Sequence, residues 1–216
     1  PMLLVHVSAK EAMYEIQRAQ ARGLKVYGET CPQYLFLSEE DFDRPGDEGA
    51  KCVCSPPPRG TDNQEHIWTG LSANTFQVLS SDHAAFKYDD VRGKKLPGAA
   101  QSFRKIPNGV PGVETRLPLL FSEGVGKGRI SLQQFVALSS TNAAKIYCLH
   151  PRKGTIAVGA DADIVLWDPT RKVTLTNAML HHNCDYTPYE GRELTGYPVM
   201  TFSRGELVME EARMSG

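Results

Sequence analysis

The chain has 216 residues and a net charge of −1, with 41% hydrophobic and 23% charged residues. The length allows one or two domains with a substantial core, and the near-neutral charge gives no electrostatic basis for binding nucleic acid or an anionic membrane. No apolar stretch approaches the roughly 20 residues that a membrane-spanning helix needs. The cysteines are irregularly spaced, which is typical of reduced thiols and predicts a cytoplasmic location; they are Cys31, Cys52, Cys54, Cys148 and Cys184.

The beginning of the chain predicts a β-α-β unit. Apolar residues 3–7 predict a buried parallel strand. Ser8 and Glu11 fit a capping box at the start of a helix that Gly23 would end. Residues 25–28 predict the next strand, which indicates a parallel α/β sheet. Because Pro1 stands directly before the first strand, we expect the sequence to be part of a longer protein.

The middle of the chain alternates irregular and regular segments. Residues 31–62 are mostly irregular, residues 63–71 predict a helix, and residues 76–79 predict a strand that leads to Asp82. A long loop rich in glycine and lysine then reaches residues 106–112, and loops of this length in compact domains are usually functional or disordered. Further helices are predicted at residues 114–122, 132–138 and 142–147.

The composition changes near His150. Residues 154–169 form a short, turn-rich β pattern. Further strands are predicted at residues 173–175, 199–202 and 206–209. We therefore predict two domains, residues 1–148 and residues 149–216.

Two metal-competent side chains follow strand-like runs, His6 after the first and Asp82 after the third. This is the layout of a (β/α) barrel active site, although the chain is too short for eight strands. Taken alone, His6 also fits a hydrogen-bonded structural histidine. Asp82 also fits a helix cap or an arginine partner, although a buried aspartate is rare without some partner. His83 points the other way from the strand and is a candidate for supporting the site.

Four motifs give the chain a family resemblance. They are LVHVS at 4–8, CSPPPR at 54–59, SSDH at 80–83 and IPNGVPGVETR at 106–116. In this order they resemble the dihydropyrimidinase/D-hydantoinase branch of the amidohydrolase superfamily, and KGTIAVGADAD at 153–163 is similar to a segment found across that superfamily. The resemblance implies an α/β fold: the C-terminal part of a metal-dependent (β/α)8 TIM-like barrel, with strands six to eight, and the C-terminal share of a β-sandwich.

The resemblance also implies roles for individual residues. His6 would bind one of two metal ions, and Asp82 would bind the other and shuttle a proton. Main-chain groups of Ser55 and Asn108 would hydrogen-bond a cyclic amide substrate. The residues alone favour plainer interpretations of the last two: Ser55 as a turn residue before prolines, and Asn108 as part of a turn with Gly109.

The activity implied is hydrolysis of the ring amide of hydantoins or 5,6-dihydropyrimidines, as in pyrimidine catabolism. Two divalent metal ions, most simply zinc, would activate water to hydroxide near neutral pH and polarise the carbonyl. The complete protein would be a homotetramer. The family's His-x-His pair, bridging carbamylated lysine, further histidine and oxyanion-stabilising tyrosine have no match in this sequence. We therefore expect the missing N-terminal half of the barrel as a partner, and an inactive isolated chain.

Other interpretations remain open at this point. Allantoinase and dihydroorotase are related cyclic amidohydrolases, but residues 54–59 and the Asn108 loop favour the hydantoinase branch. The collapsin response mediator proteins are non-catalytic scaffolds with this fold and no metal site, and the presence of both His6 and Asp82 argues against them. The chain could also act by itself as an inert or regulatory partner.

Overall fold

Alternating strands and helices near the beginning of the chain build a parallel sheet, and the later strands build an antiparallel one. The computed structural model describes residues 1–211 and 213–214. The chain divides into two compact units. The first contains Pro1–Arg116 and Thr176–Arg192, and the second contains Leu117–Leu175 and Glu193–Gly216. These units are defined by spatial contacts, and each combines two separate segments of the chain. They do not test the predicted domain boundary near residue 148, which stays a prediction.

The first unit contains a three-stranded parallel sheet. Its strands are β1 (Met2–Leu4), β2 (Val26–Thr30) and β3 (Val78–Leu79), in the order β1-β2-β3. The register pairs Leu4 with Gly28 and Glu29 with Val78. The prediction of a parallel α/β sheet is therefore confirmed, but the prediction that residues 3–7 form a buried strand is wrong. The strand ends at Leu4, and it lies at the edge of this sheet with Leu4 and Val5 exposed.

Three α-helices accompany this sheet: α1 (Lys10–Ala21), α2 (Gln33–Phe36) and α3 (Asp62–Ser72). The packing between α1, α3 and the sheet is close, since a Cβ on Gly70 would meet the Phe76 ring at 2.6 Å and Met13 sulfur at 2.8 Å. Glycine at this position lets two helices approach each other. Short 3₁₀ helices occupy the remaining connections, at Glu39–Asp43, Glu48–Cys52, Ala99–Gln101, Phe103–Lys105 and Asn177–Met179.

The predicted capping box at the start of α1 is wrong. Ala9 is the N-cap residue, and no side chain of the first turn caps the helix. The backbone N–H of Lys10 instead donates to Asn63 Oδ1 at 3.0 Å, while Ser8 Oγ accepts from Arg59 Nε at 3.2 Å. A tertiary contact satisfies the free amide that a local cap would have satisfied.

The second unit contains a four-stranded antiparallel sheet in the order β4-β5-β6-β7. Its strands are β4 (Ile164–Thr174), β5 (Glu193–Ser203), β6 (Glu206–Glu210) and β7 (Arg213–Met214). The predicted strand at residues 173–175 is the end of the long β4, which changes register between Asp168 and Lys172. There the Asp168 carboxylate accepts from the backbone N–H of Thr170 at 2.8 Å, which closes a local turn inside the strand.

Helical residues and aromatic rings complete the second unit. The rings of Phe121, Phe135 and Trp167 pack with centroids 4.9 to 5.6 Å apart, the range of favourable aromatic contacts. The three predicted helices are present, but two of them continue in π-helical turns. The elements are α4 (Arg116–Leu120), a π-turn at Phe121–Val125, α5 (Leu132–Val136), a π-turn at Ala137–Thr141, and α6 (Asn142–Ile146). Within the described residues, no helix is both long and apolar enough to cross a bilayer.

Candidate metal and substrate site

The structure brings His6 and Asp82 together. His6 lies two residues after β1 and Asp82 three residues after β3, and His6 Nε2 lies 3.7 Å from Asp82 Oδ1. Both residues have positive φ angles, 57° and 45°, in the left-handed region, where aspartate and histidine are enriched among the residues other than glycine. Residues other than glycine in this region cluster at functional sites. The side chains are each about one third exposed, so a ligand can reach them.

Glu29 is a buried carboxylate that the sequence analysis missed. It lies near the end of β2, between the other two strands, and is 2% exposed. Its Oε2 accepts the backbone N–H of His6 and lies 3.3 Å from His6 Nδ1. Its Oε1 accepts from Ser80 Oγ and from Cys31 Sγ, the latter at 3.0 Å. An acidic residue near the carboxyl end of the middle strand, at the same edge of the parallel sheet, was the signal that could have found it.

The Nδ1 atom of His6 faces both the Glu29 carboxylate, 3.3 Å away, and the Cys31 thiol, 3.6 Å away. A histidine that binds a metal commonly donates its other ring N–H to a carboxylate, which sets the tautomer and the direction of the free nitrogen. With Nδ1 facing Glu29, the Nε2 atom of His6 faces Asp82. An imidazole nitrogen and a carboxylate oxygen are a donor set that suits zinc and similar divalent ions.

Cys31 lies on the same side of the His6 ring as Glu29, and its Sγ is 3.6 Å from His6 Nδ1, within hydrogen-bonding distance. The ligand atoms of His6, Glu29 and Cys31 lie within 4.8 Å of one another. Burial raises the pKa of the Cys31 thiol, and the Glu29 carboxylate raises that pKa further. In this structure the Cys31 thiol donates to Glu29 Oε1 at 3.0 Å, so these two groups are engaged with each other. His6 Nε2 and Asp82 Oδ1 face each other, and their side chains are partly exposed, so a metal ion can reach them.

His83 connects the end of β3 to the following loop. Its Nδ1 accepts the backbone N–H groups of Gly112 at 3.0 Å and Val113 at 3.3 Å. Burial lowers the pKa of His83, which favours the neutral ring that can accept these hydrogen bonds. Residue 83 also pairs in parallel with Val110. His83, which directly follows Asp82 in the chain, thus holds the loop that carries Asn108.

Ser55 and Asn108 line one cavity of about 950 Å³. Both residues are exposed, and their backbone segments are joined because the N–H of Gly109 donates to the carbonyl of Val53 at 3.0 Å. The structure therefore brings together the two residues expected to bind substrate. His6 and Asp82 are not among the residues described as lining this cavity.

Comparisons with known proteins identify the family of the chain. The sequence pattern of the amidohydrolase family matches residues 3–208. The chain therefore belongs to the amidohydrolase family. Within that family it is similar to D-hydantoinases and dihydropyrimidinases.

The D-hydantoinase of Geobacillus stearothermophilus is 47% identical over 215 residues, and that of Rhizobium radiobacter is 44% identical over 216 residues. These alignments cover all of this chain but only 45% and 46% of the relatives. The crystal structure of a dihydropyrimidinase from Brevibacillus agri matches 99% of this chain and 46% of its own chain, with 46% identity and a TM-score of 0.95. The chain thus spans about half the length of these relatives.

Replacement of Gly109 by alanine tests how the Asn108 loop is held. A Cβ at Gly109 would lie 2.3 Å from Ala84 Cβ, and its φ of 125° disfavours any side chain. We expect Gly109→Ala to lower the free energy of unfolding by about 1–3 kcal/mol, as measured by urea denaturation. Gly112→Ala is the matched control, since its nearest new contact is an ordinary 3.5 Å. Equal effects of the two substitutions would contradict this account.

Proposed function

We propose that this chain is the C-terminal part of a cyclic amidohydrolase that hydrolyses the ring amide of hydantoins or 5,6-dihydropyrimidines. The observation that carries the proposal is the approach of His6 Nε2 to Asp82 Oδ1, 3.7 Å apart, at the ends of two parallel strands. The names of the similar proteins, D-hydantoinase and dihydropyrimidinase, support the same substrate class.

In this proposal β1, β2 and β3 are strands six to eight of a (β/α)8 barrel, within residues 1–148. The four-stranded sheet is the C-terminal share of a β-sandwich, within residues 149–216. Two findings support the assignment: the relatives are about twice as long as this chain, and β1 exposes apolar side chains at a sheet edge. An exposed apolar edge is a surface on which a further strand can pair. The missing barrel strands would come from the N-terminal half.

The proposed site holds two divalent metal ions, with zinc as the simplest choice. His6 would hold one ion through Nε2 and Asp82 would hold the other. When bound, such ions lower the pKa of water and polarise a carbonyl. A catalytic zinc normally has three protein ligands, so the remaining ligands must come from the N-terminal half.

The chain's own residues have distinct tasks in the reaction. Asp82 accepts a proton from the attacking water and delivers it to the ring nitrogen, as a general base and then a general acid. The C–N bond of the ring breaks, a C–O bond forms, and the product is an open-chain acid. Glu29 keeps Nε2 of His6 directed at the site. Backbone groups at Ser55 and Asn108 hold the ring in the orientation for attack.

The rival functions differ in what they predict. Allantoinase and dihydroorotase would act on other cyclic amides with the same residues. A scaffold like the collapsin response mediator proteins would need neither His6 nor Asp82, and the geometry of this pair favours an enzyme. The homotetramer and the cytoplasmic location stay predictions.

A fusion protein tests the proposed function. The part of the Geobacillus stearothermophilus D-hydantoinase that lies before the matched region would be joined to this chain, and the fusion would be loaded with zinc. We expect this complemented enzyme to hydrolyse hydantoin and dihydrouracil, and we expect the 216-residue chain alone to be inactive, because it supplies only two of the expected ligands.

The assay also separates the alternatives. Allantoin or dihydroorotate as the better substrate would move the assignment to another branch. A folded, zinc-loaded fusion protein that hydrolyses none of the four compounds would overturn the proposal. Hydrolysis by the isolated chain, with metal bound in stoichiometric amount, would show that it needs no N-terminal half.

Asp82→Asn in the complemented enzyme tests the proton shuttle. The amide cannot exchange a proton near neutral pH, so we expect kcat to fall by about 10² to 10⁴-fold, measured with dihydrouracil alongside elemental analysis of the metal. Asp89→Asn, at a side chain that is mostly exposed, is the control and should keep kcat. A kcat within threefold at unchanged metal content would show that Asp82 is not the shuttle.

Glu29→Gln tests whether the buried carboxylate orients His6. Loss of such a supporting carboxylate typically weakens metal binding by about 10 to 100-fold, and we expect this range for zinc in competition titrations of the complemented enzyme. Glu15→Gln changes an exposed carboxylate on α1 and should leave the affinity unchanged. Equal zinc affinity in both variants would refute the role given to Glu29.

A further inference from the structure

Lys94 is a buried lysine whose ammonium group binds two backbone carbonyls. It belongs to the long loop between β3 and Asn108, and it is 1% exposed. Its Nζ donates to the carbonyl of Val53 at 2.8 Å and to that of Pro107 at 2.6 Å. The titratable groups that act on it are the buried thiols of Cys52 and Cys54. Lys94 is thus held mainly by main-chain acceptors.

A lysine is seldom buried in this way, because transfer of an ammonium group from water is costly. Burial lowers the pKa of Lys94 to about 8. Apolar side chains could fill the same space without this penalty. The feature that an apolar side chain could not reproduce is the pair of hydrogen bonds to Val53 and Pro107.

These two carbonyls belong to the segments that carry the proposed substrate contacts. Val53 lies two residues before Ser55, and Pro107 lies directly before Asn108. The carbonyl of Val53 also accepts the N–H of Gly109 at 3.0 Å. Lys94 therefore adds a second link between two strips of backbone that line the same cavity.

We propose that Lys94 is a positioning residue that fixes the spacing between the backbone at Ser55 and the backbone at Asn108. This spacing sets the width of the cleft that receives the flat ring of a cyclic amide. The identity of the ring as substrate rests on the proposed function, whereas the link between the two segments does not. Lys94 touches neither His6 nor Asp82 in these contacts, so its effect reaches the reaction through substrate binding.

Lys94→Met keeps a long side chain and removes both hydrogen bonds. We expect faster amide hydrogen exchange at residues 52–56 and 105–110 of the 216-residue chain, by tenfold or more, measured by mass spectrometry. In the complemented enzyme we expect KM for dihydrouracil to rise at least tenfold with kcat within threefold, because a weakened binding contact raises KM alone.

Leu71→Ala is the control for general destabilisation. Leu71 is fully buried in α3 and does not line the cavity. We expect it to lower Tm while KM stays within twofold and exchange at residues 52–56 and 105–110 is unchanged. If Lys94→Met does not fold, both measurements are made on Lys94→Arg, which keeps a charged donor but displaces it, and the same directions are expected.

The outcomes distinguish the two proposals. Exchange rates equal to those of Leu71→Ala would show that Lys94 does not hold the two segments. Faster exchange with an unchanged KM would show that the segments do not set ring binding, and either result overturns the inference. A complemented enzyme that is inactive before any substitution would instead refute the proposed function, while hydrogen exchange would still decide whether Lys94 links the segments.

Discussion

The buried carboxylate of Glu29 connects all three strand ends at the candidate site. It accepts a hydrogen bond from the backbone N–H of His6 after β1, one from the hydroxyl of Ser80 after β3, and one from the Cys31 thiol after its own strand. A buried carboxylate without such donors would be strongly destabilising. The network therefore holds the strand ends in one arrangement, and the approach of His6 to Asp82 depends on it.

A second set of contacts positions the loops around this centre. His83 accepts two backbone amides from the segment after Asn108, and Lys94 donates to the carbonyls of Val53 and Pro107. The hydrogen bonds of both side chains go to main-chain groups. These contacts consequently fix the main chain in the segments whose backbone groups are proposed to bind the ring. Such pre-organisation reduces the entropic cost of binding.

The different roles proposed for the pair His6 and Asp82 and for the pair Ser55 and Asn108 follow from their distances and their exposure. His6 and Asp82 are partly exposed and lie 3.7 Å apart, so they can share an environment in which metal ions activate water. Ser55 and Asn108 line a cavity whose described lining does not include His6 or Asp82, and in the proposal their backbone groups hold the ring. Such a separation lets the ring be bound by one set of groups while the proton moves through another, which is a common arrangement where positioning and acid–base catalysis combine.

The sequence by itself determined the parallel β-α-β start, the pairing of His6 with Asp82 as strand-end candidates, and the family, because periodicity and contiguous motifs are local signals. It did not reveal Glu29 or Lys94, and it misplaced the helix cap that Asn63 supplies to Lys10. Each of those depends on contacts between residues far apart in the chain. The hydrogen-bond partners of a buried charged group come from distant parts of the chain, and only the tertiary structure brings them within hydrogen-bonding distance.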